Sequence, residues 1–428
     1  MRVLIVSHNV MNPGTSMGKT LLAYFRAFSP EEVAQFYIYN EVPTDHTVCR
    51  NYYRFTDGDA VQSLLFPFRR SKPLTQRKTG KKQGILEKAY RFGRKRTAYG
   101  YILRNLLWKC CRWDSRAFWQ WVWDFDPDVV FLASGDNGFL YHVAEKIAKR
   151  TGKPLVISCV DDFYLDNRNA DSLLGRLEHA CFLKTVQRTM DSAAAVVTIC
   201  PAMQKAYRRL FGKPCHVLHT PAEEREIPEQ KNRKQISYLG DLGLQRHLQL
   251  VEMGRALKNL DLPGGPKWID VYSGEKDPEI LTLLTMENGI RFHGEIPAGM
   301  VSEVMGRSMA VIHTESFDPK VRRITRFSVS TKIADSLMNG PCLIAYGPEE
   351  IASMDYLAEH QAAYIITRQK DLQAGLQEIL TDAELRMQIR ERGRVLARKN
   401  HSMERNPQLL RFWLEETCAR VEGMKADD

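Results

Sequence analysis

RVLIVSHNVMNPGTSMGKTLLAYFRAF, Arg2–Phe28, joins an apolar run to a glycine-containing loop and then to an apolar segment of helical period. A strand, a tight loop and a helix in this order form the first β-α unit of a doubly wound α/β domain. Ligands gather at such a loop, although a tight turn that binds no ligand gives the same pattern. The segment therefore predicts an α/β fold, with Gly14 and Thr15 as candidate loop residues of a ligand site.

The same segment ends its loop in Gly-Lys-Thr, as the phosphate-binding P-loop of ATPases does, but the spacing argues against that function. A P-loop needs a glycine five residues before the Gly-Lys pair. Pro13 occupies this position, and a proline has no N–H to donate to a phosphate. Gly14 comes one residue late and leaves the loop too short. An ATP-binding P-loop is therefore disfavoured.

Length and composition indicate an ordinary globular protein. With 428 residues, 44% hydrophobic and 26% charged, the chain is long enough for two domains. Nine cysteines include no Cys-x-x-Cys motif, so neither a disulfide framework nor a zinc site is indicated. The N-terminal apolar run is too short for a signal peptide, and no run has the length of a membrane span. We expect a cytoplasmic protein, with peripheral attachment to the inner face of the membrane as an option.

The net charge of +10 is concentrated in one region. Residues 69–116 contain sixteen Lys or Arg but only Glu87 and Asp114 as acids, so this region alone carries +14. Such asymmetry indicates an anionic partner.

Five tryptophans follow the densest part of this basic region: Trp108, Trp113, Trp119, Trp121 and Trp123. Indole rings and lysines together are typical of a peripheral membrane contact, here through residues 69–124. A basic surface loop followed by an ordinary buried helix explains the pattern equally well. Nucleic acid is not the expected partner, because no recognised nucleic-acid motif accompanies the charge.

Apolar runs of strand length alternate with helix-length segments along the chain. They are RVLIVS, QFYIYN, DVVFLAS, PLVISCV, AAVVTIC and HVLHT in the first half, and ISYLG, WIDVYSG, IRFHGEI, AVIHTE and CLIAYG in the second. Continuous apolar runs are typical of parallel sheets covered on both faces. We predict two Rossmann-like, doubly wound domains that face each other across a cleft.

A polar, proline-containing stretch, residues 221–235, separates the two halves and has the composition of a linker. We predict a first domain at 1–222, which carries the basic, Trp-rich insert, and a second at 223–400. Residues 401–428 are predicted to form a C-terminal helix that braces the first domain.

The segment Arg326–Gly347, RFSVSTKIADSLMNGPCLIAYG, is the most informative for function. Ser330, Thr331 and Lys332 open a helix, and the N–H groups and dipole of a helix start favour an anion such as a diphosphate. Asp335 lies one turn after Lys332, on the same helix face. A lysine there offsets phosphate charge, and a carboxylate accepts hydrogen bonds from a ribose diol.

The pattern of Lys332, Asp335, Gly340 and Pro341 resembles the donor site of GT-B glycosyltransferases of the retaining, family-4-like type. The resemblance implies that Lys332 binds the donor phosphates and that Asp335 holds the ribose. It also implies a glycosyltransferase of the hexosyl type that uses a nucleoside diphosphate sugar as co-substrate, without a further cofactor and without a metal.

Other segments resemble the family's motifs in the expected order. ISYLGDLGLQR is similar to the opening of the donor domain, so that Gly240 and Arg246 would contact phosphates. Gly274 and Gly294 match the ends of the next two strands. Glu315 matches the first acid of the family's paired-acid signature, with Asp318 as an alternative for the acid that contacts the sugar.

In the first domain, SCVDDFY matches a strand end that often carries His-Asp in the family. Asp161 would stand in place of the histidine, beside Asp162, and could take a proton from an acceptor hydroxyl. Paired Asp residues after a strand can equally serve as helix caps or solvated loop residues. Cations from Lys332 and Arg246 would replace a metal.

These features together predict sugar transfer to a saccharide or lipid-linked saccharide in cell-surface polysaccharide synthesis. Two alternatives stay open: a GT-B scaffold that has lost catalysis, and a basic nucleic-acid-binding protein, which would show steeply salt-dependent binding.

Overall fold

The computed structural model describes residues 1–65, 97–165, 172–227 and 233–426. The predicted basic insert therefore falls partly outside the described residues, at positions 69–96. The chain divides into two compact units. Unit 1 comprises residues 1–218 and 404–428, and unit 2 comprises residues 219–403.

Unit 1 is built on a seven-stranded parallel sheet in the order β3-β2-β1-β4-β5-β6-β7. Its strands are β1 (Val3–Ser7), β2 (Val33–Tyr37), β3 (Asn51–Arg54), β4 (Val129–Ala133), β5 (Leu155–Cys159), β6 (Ala195–Thr198) and β7 (Cys215–Val217). The strand order reverses between β1 and β4, where Val3 pairs with Val129. Ligands of doubly wound sheets bind outside the carboxyl ends of the strands at such a switch point.

Helices connect these strands. They are α1 (Ser16–Tyr24), α2 (Asp57–Leu65), α3 (Ala98–Cys110), α4 (Arg116–Phe125), α5 (Gly138–Thr151), α6 (Leu173–Ser192) and α7 (Pro201–Phe211). Every residue of β1, β2, β4 and β5 is buried. Burial of both strand faces explains why these segments read as continuous apolar runs.

Unit 2 contains a six-stranded parallel sheet in the order β10-β9-β8-β11-β12-β13. Its strands are β8 (Gln235–Leu239), β9 (Ile269–Tyr272), β10 (Ile290–Gly294), β11 (Ser308–Thr314), β12 (Cys342–Tyr346) and β13 (Tyr364–Ile366). The switch point of this sheet lies between β8 and β11, where Ile236 pairs with Ala310.

The helices of unit 2 are α8 (Arg246–Lys258), α9 (Pro278–Leu281), α10 (Val301–Arg307), α11 (Pro319–Thr325), α12 (Thr331–Asn339), α13 (Ala352–Glu359), α14 (Leu372–Thr381) and α15 (Ala383–Asn400). Three short 3₁₀ helices cover Met286–Asn288, Ala298–Met300 and Gln369–Asp371. A last helix, α16 (Arg405–Ala426), belongs to unit 1.

The predicted strands all occur, and the described ranges contain two further strands that the sequence analysis did not predict. β3 and β13 have only four and three residues, and they lie at the edges of their sheets. Their apolar content is too brief to stand out from the surrounding loops.

The tryptophan-rich segment forms part of the core. Trp108, Trp113, Trp119 and Trp121 are 2–7% exposed, and of the five only Trp123 is substantially exposed, at 46%. The Trp108 ring stacks on Phe139 with centroids 4.4 Å apart. The interpretation of these four indoles as membrane anchors is therefore wrong, because they cover the apolar face of the sheet.

Helix α16 packs on the core of unit 1. Leu410 and Leu414 are buried in that core, and the Trp413 ring stacks on His216 with centroids 4.7 Å apart. Arg411 donates hydrogen bonds to Glu32, and this contact lowers the pKa of the Glu32 carboxyl to about 2. Apolar burial and an ion pair thus hold the helix against the first sheet.

None of the helices in the described ranges has both the length and the apolar content needed to cross a membrane.

We predict that Leu414→Ala destabilises unit 1 by about 2–4 kcal/mol, since the side chain is 1% exposed and its loss leaves a cavity. Phe412→Ala, on the same helix but 59% exposed, is the matched control and should change stability by less than about 0.5 kcal/mol. Guanidinium unfolding followed by tryptophan fluorescence reports mainly on unit 1, which contains six of the seven tryptophans. Equal midpoints for both variants would contradict the packing of α16.

Candidate functional site

The site residues predicted for unit 2 gather at one edge of its sheet. Gly240 directly follows β8, Glu315 directly follows β11, and these strands are neighbours at the switch point. Gly274 follows β9, and Gly294 ends β10, on the same edge. Because all the strands are parallel, their carboxyl ends place these four residues along one rim.

Lys332 reaches this rim from the start of α12. Ser330 is the N-cap of that helix and accepts a hydrogen bond from the Lys332 backbone N–H at 3.4 Å, and Thr331 is its first residue. A Cβ atom at Gly240 would lie 2.6 Å from Lys332 Nζ. The missing side chain at Gly240 therefore makes room for the lysine head at the switch point.

Arg246, the first residue of α8, lies at the same place. Its Nη2 donates to both carboxylate oxygens of Glu315 at 3.3 Å. Glu315 is 1% exposed, and burial raises the pKa of its carboxyl, with Arg246 acting in the opposite direction. Burial disfavours the charge on Arg246, but Glu315 together with Tyr238 and Asp241 outweighs it, and the pKa of the guanidinium is raised.

Lys332 and Arg246 repel each other. Although the Lys332 side chain contacts solvent, burial lowers the pKa of its ammonium, and the positive charge of Arg246 lowers it further. Two neighbouring cations, of which Arg246 alone is paired with the buried Glu315 carboxylate in the described residues, favour an additional anion. The arrangement suits a phosphate or diphosphate.

His313 is a member of this cluster that the sequence analysis missed. Burial, followed by the charges of Arg246 and Lys332, lowers the pKa of its imidazole to about 3. Its Nε2 lies 3.1 Å from Ser353 Oγ and 3.6 Å from a Glu315 oxygen. The neutral ring packs beside Glu315 without adding charge. His313 lies two residues before Glu315 in a buried strand, and this position in the sequence could have identified it as a site residue.

Two consecutive non-glycine residues have left-handed backbone conformations just before Arg246. Leu244 has φ +58° and Gln245 has φ +60°. Each such residue costs about 1–2 kcal/mol, so the surrounding structure must hold the loop in place. Backbone strain of this kind clusters at ligand-binding loops, and no residue pattern in this segment indicated it.

The remaining acids of unit 2 have separate environments. Asp318 caps α11 by accepting hydrogen bonds from the backbone of Lys320 at 2.9 Å and Val321 at 3.0 Å. Asp335 is half-buried on α12, one turn after Lys332, and its charge acts on the buried His401. The structure thus brings Glu315 to Arg246 and gives Asp318 a capping role.

Gly274 and Gly294 lie next to each other at the rim. The backbone N–H of Ser273 donates to the Gly294 carbonyl at 3.0 Å. Gly294 has φ +76°, a conformation that favours glycine. This glycine therefore permits the turn that follows β10.

In unit 1, the first loop is a helix start. Thr15 is the N-cap of α1 and accepts a hydrogen bond from the Gly18 N–H at 3.2 Å. A Cβ at Gly14 would meet nothing within 4 Å, whereas one at Gly18 would lie 2.5 Å from the Asn12 carbonyl oxygen. Close packing therefore requires glycine at position 18, and Gly14 lies on an open surface.

The two carboxylates after β5 differ in environment. Asp162 is 1% exposed and accepts hydrogen bonds from the Tyr207 hydroxyl at 3.0 Å and from the Leu165 N–H at 2.9 Å. Asp161 is half-buried. Asp162 thus serves the fold of unit 1, and Asp161 is the member of the pair that solvent or a ligand can reach.

A polar cluster at the switch point between β1 and β4 was not predicted. The Asn137 amide lies 3.2 Å from His8 Nε2 and accepts from Arg104 at 3.1 Å. Asp136 accepts from the Tyr101 hydroxyl at 2.7 Å. Strand ends and helix α3 meet here, at the place where doubly wound domains bind ligands.

Glu178, on α6, is the unusual acid of this region. It is 8% exposed and has no hydrogen-bond or ion-pair partner among the residues that the structure describes. Burial, and secondarily the charge of Asp136, raises the pKa of its carboxyl to about 7. A carboxyl that titrates near neutral pH beside a switch point can exchange a proton with a ligand hydroxyl.

Within the described ranges, no group of three His, Cys, Asp or Glu side chains is arranged to hold a metal ion.

Two family models match the chain. A Glycosyl transferase 4-like domain matches residues 85–221, and a Glycosyl transferase-like model matches residues 246–411. Together they cover well over half of the sequence. No curated protein matches the chain by sequence.

Several solved structures share the architecture at low identity. HepE of Anabaena in complex with UDP is 12% identical with a TM-score of 0.63, and 97% of this chain and 100% of that chain are covered. Its complex with UDP-glucose gives a TM-score of 0.62 at 12% identity and the same coverage. Sucrose-phosphate synthase from Thermosynechococcus elongatus is 11% identical with a TM-score of 0.63, covering 98% and 100%. This likeness shows the GT-B fold of two doubly wound domains.

The raised pKa of Glu178 predicts a pH-dependent stability. The pKa of a Glu in an unfolded chain is 4.5, whereas folded Glu178 keeps its proton up to about pH 7, so folding stability falls between these pH values and stays lower above them. Glu178→Gln removes this loss. The variant should match the wild type at pH 4 and exceed it at pH 8 by about 2 kcal/mol.

Chemical unfolding of unit 1 at both pH values measures this difference. The control is Glu404→Gln, which replaces an exposed acid of unit 1. Its free energy of unfolding should equal that of the wild type at both pH values. A pH-independent difference between Glu178→Gln and the wild type would refute the raised pKa.

Proposed function

The chain is a glycosyltransferase of GT-B fold, and we propose that it transfers a sugar from a nucleoside diphosphate sugar to a saccharide or lipid-linked saccharide, with retention of configuration. One observation carries the proposal. Lys332 lies against Gly240 and Arg246 lies against Glu315, after the two strands that flank the switch point of the unit 2 sheet.

This arrangement suits the diphosphate of the donor. The guanidinium fork can hold two phosphate oxygens, and the helix dipole at the start of α12 favours negative charge there. When the bond from the anomeric carbon to the phosphate oxygen breaks, its electron pair leaves with the diphosphate. Fixed cations stabilise that charge by several kcal/mol, on the order of 3, without needing to reorient.

We propose Asp335 as the ribose ligand, with Gly274 and Gly294 at the base-binding part of the rim. HepE is solved with UDP and with UDP-glucose, which makes UDP the first nucleotide to test. The positive charge of Lys332 and Arg246 takes the place of a metal in this proposal, and no cofactor is needed beyond the nucleotide sugar.

Glu315 has a positioning role in the proposal. Both of its oxygens accept from Arg246, so its first effect is to hold the guanidinium at the rim of the sheet. Displacement of this contact by the bound sugar would let Glu315 act on the sugar itself, as the family pattern implies. Asp318 is less suited to this task because it caps α11.

Unit 1 supplies the acceptor side. The acceptor oxygen bonds to the anomeric carbon on the face from which the diphosphate leaves, and its proton passes to a base. Asp161, half-buried at the end of β5, is the proposed proton acceptor. Glu178 is a second candidate, since its carboxyl titrates near neutral pH.

We further propose that the enzyme works at the cytoplasmic face of an anionic membrane in cell-surface polysaccharide synthesis. The support is the charge of residues 69–116, with sixteen Lys or Arg against two acids. A lipid-linked acceptor would be presented at that surface. The basic insert 69–124 would contribute attraction through charge rather than through its buried indoles.

Nucleotide binding tests the donor site. In the presence of magnesium, one of UDP, GDP, CDP, TDP and ATP should raise the unfolding temperature of the wild type, because a ligand that binds the folded state stabilises it. Lys332→Ala should weaken that binding by about tenfold or more, since a charge-assisted contact is lost. Lys267→Ala, an exposed lysine of unit 2, should behave as the wild type. Stabilisation of Lys332→Ala equal to that of the wild type would remove Lys332 from the site.

The role of Glu315 can be separated from that of Asp318. Glu315→Gln should weaken diphosphate binding by roughly three- to tenfold, since it frees Arg246 from its carboxylate partner without removing the cation. Asp318→Asn should lower thermal stability by about 1 kcal/mol or less through the helix cap and leave nucleotide affinity unchanged. Isothermal titration with the diphosphate identified above measures the nucleotide affinity of both variants. The reverse pattern would assign the sugar-side role to Asp318.

A further inference from the structure

A basic segment of unit 2 leaves the proposed donor site after one strand and returns to it at the next long helix. It comprises residues 316–330, between Glu315, directly after β11, and Lys332, in the first turn of α12, and it contains the short helix α11. We call it the arginine segment. Asp318 is its one acid and caps α11, whereas four of its residues are basic: Lys320, Arg322, Arg323 and Arg326. The proposed transfer chemistry uses none of these four cations.

The arginine segment is held in place by the rest of unit 2. On one side of α11, Val321 and Thr325 are buried, at 7% and 0% exposure. Before the helix, Ser316 Oγ donates to Gln245 Oε1 at 3.4 Å, and Gln245 belongs to the strained loop that precedes α8. The segment therefore begins at the rim of the sheet, and packing sets the orientation of its helix.

The three arginines share a face of α11 that its buried residues do not occupy. With 3.6 residues per turn, Arg322, Arg323 and Arg326 fall within about 100° of one another around the helix axis. Arg322 and Arg326 are half-buried, and Arg323 is exposed. The face is therefore positively charged and accessible from solvent.

This face lies beside the end of β12, the strand next to β11. Arg322 forms an ion pair with Glu350, which follows β12 in the chain. The backbone carbonyl of Arg326 accepts a hydrogen bond at 2.8 Å from the first residue of α13, which also follows β12. A Cβ atom at Gly347, the first residue after β12, would lie 3.0 Å from Glu315 Cβ. The arginines are thus tied to the part of the rim that adjoins Glu315.

The strand order gives the order of the proposed ligand along the rim. Gly294 and Gly274, at the ends of β10 and β9, are proposed for the base, Gly240 after β8 for the diphosphate, and Glu315 after β11 for the sugar. The next strand is β12. Neighbouring strands lie about 4.8 Å apart, a step comparable to the width of a sugar ring. The sugar substituent farthest from the diphosphate would therefore reach the arginine segment.

The acids near this face leave guanidinium groups for a ligand. Glu350 is paired with Arg322, one of the three arginines. Arg323 forms no hydrogen bond or ion pair among the residues that the structure describes. The Arg326 guanidinium lies 4.6 Å from the centroid of the Phe327 ring, a contact that orients it without adding negative charge. An arginine fork binds a carboxylate through two parallel hydrogen bonds, so this place suits a carboxylate on the sugar.

We propose that the donor is a nucleoside diphosphate hexuronic acid and that Arg323 and Arg326 bind the carboxylate of its sugar. The inference rests on the proposed function, which places the sugar at Glu315. The corresponding neutral hexose has a hydroxymethyl group in place of the carboxylate. That group forms no charge-assisted hydrogen bond, so the arginines would discriminate against the hexose.

Matched nucleotide sugars test the inference with the full chain. They carry the base that the diphosphate titration identifies: UDP-glucuronate with UDP-glucose and UDP-galacturonate with UDP-galactose, or GDP-mannuronate with GDP-mannose. The members of each pair differ only at C6. Isothermal titration should show that the wild type binds the uronate of at least one pair about tenfold or more tightly than its hexose. Arg323→Gln and Arg326→Gln combined should bring the two affinities to within about threefold and leave the affinity for the diphosphate alone unchanged.

A charge-matched double variant controls for general electrostatic attraction. Lys267→Gln and Lys320→Gln combined remove two positive charges from exposed positions of unit 2, one of them on α11. This protein should keep the wild-type preference for the uronate. The affinity for the diphosphate alone shows that each variant is folded.

Three results would overturn this inference while leaving the proposed function intact, provided that the wild type binds a diphosphate. The first is equal affinity for uronate and hexose in every pair. The second is a preference that survives in the arginine variant, and the third is a preference that is lost in the lysine variant. If the wild type binds no diphosphate at all, the proposed function fails, and the assignment of a uronate donor fails with it.

Discussion

The parallel arrangement of both sheets is the constraint on which the rest of the structure depends. Parallel strands joined by helical crossovers bring the carboxyl end of every strand to one edge, so residues far apart in the chain become neighbours. In unit 2 this edge unites Gly240 and Glu315, from the two strands that flank the switch point. Helix α12 then adds Lys332 from its first turn. No local interaction could assemble these groups.

The electrostatics of this edge follow from burial. Arg246 keeps its charge because Glu315 lies 3.3 Å away, whereas Lys332 has no ion-pair partner among the described residues and its pKa is lowered. Burial and these two positive charges keep His313 neutral. The free protein therefore holds an excess of positive charge in a partly desolvated place, which an anionic ligand would relieve. Holding these cations ready in advance is how a rigid scaffold lowers the cost of charge development during transfer.

Unit 1 separates three tasks on different parts of one domain. Its tryptophans and helix α16 complete the core, polar groups such as Asp136 after β4 and Glu178 on α6 influence one another, and the outer sides of α3 and α6 remain apolar. The apolar sides are compatible with stability because both helices are fixed through their opposite faces.

The sequence by itself determined the elements and their order: the strands of both sheets apart from the short β3 and β13, the helix start at Ser330, and the concentration of basic residues. These features are encoded locally, by apolar period, capping residues and composition. Tertiary structure alone decided which of two adjacent carboxylates, Asp161 or Asp162, is buried, and that four of the five clustered indoles are core residues. It also decided that Glu178 titrates near neutral pH and that Arg246 holds Glu315. Burial and pairing depend on partners distant in the chain, and no local pattern carries that information.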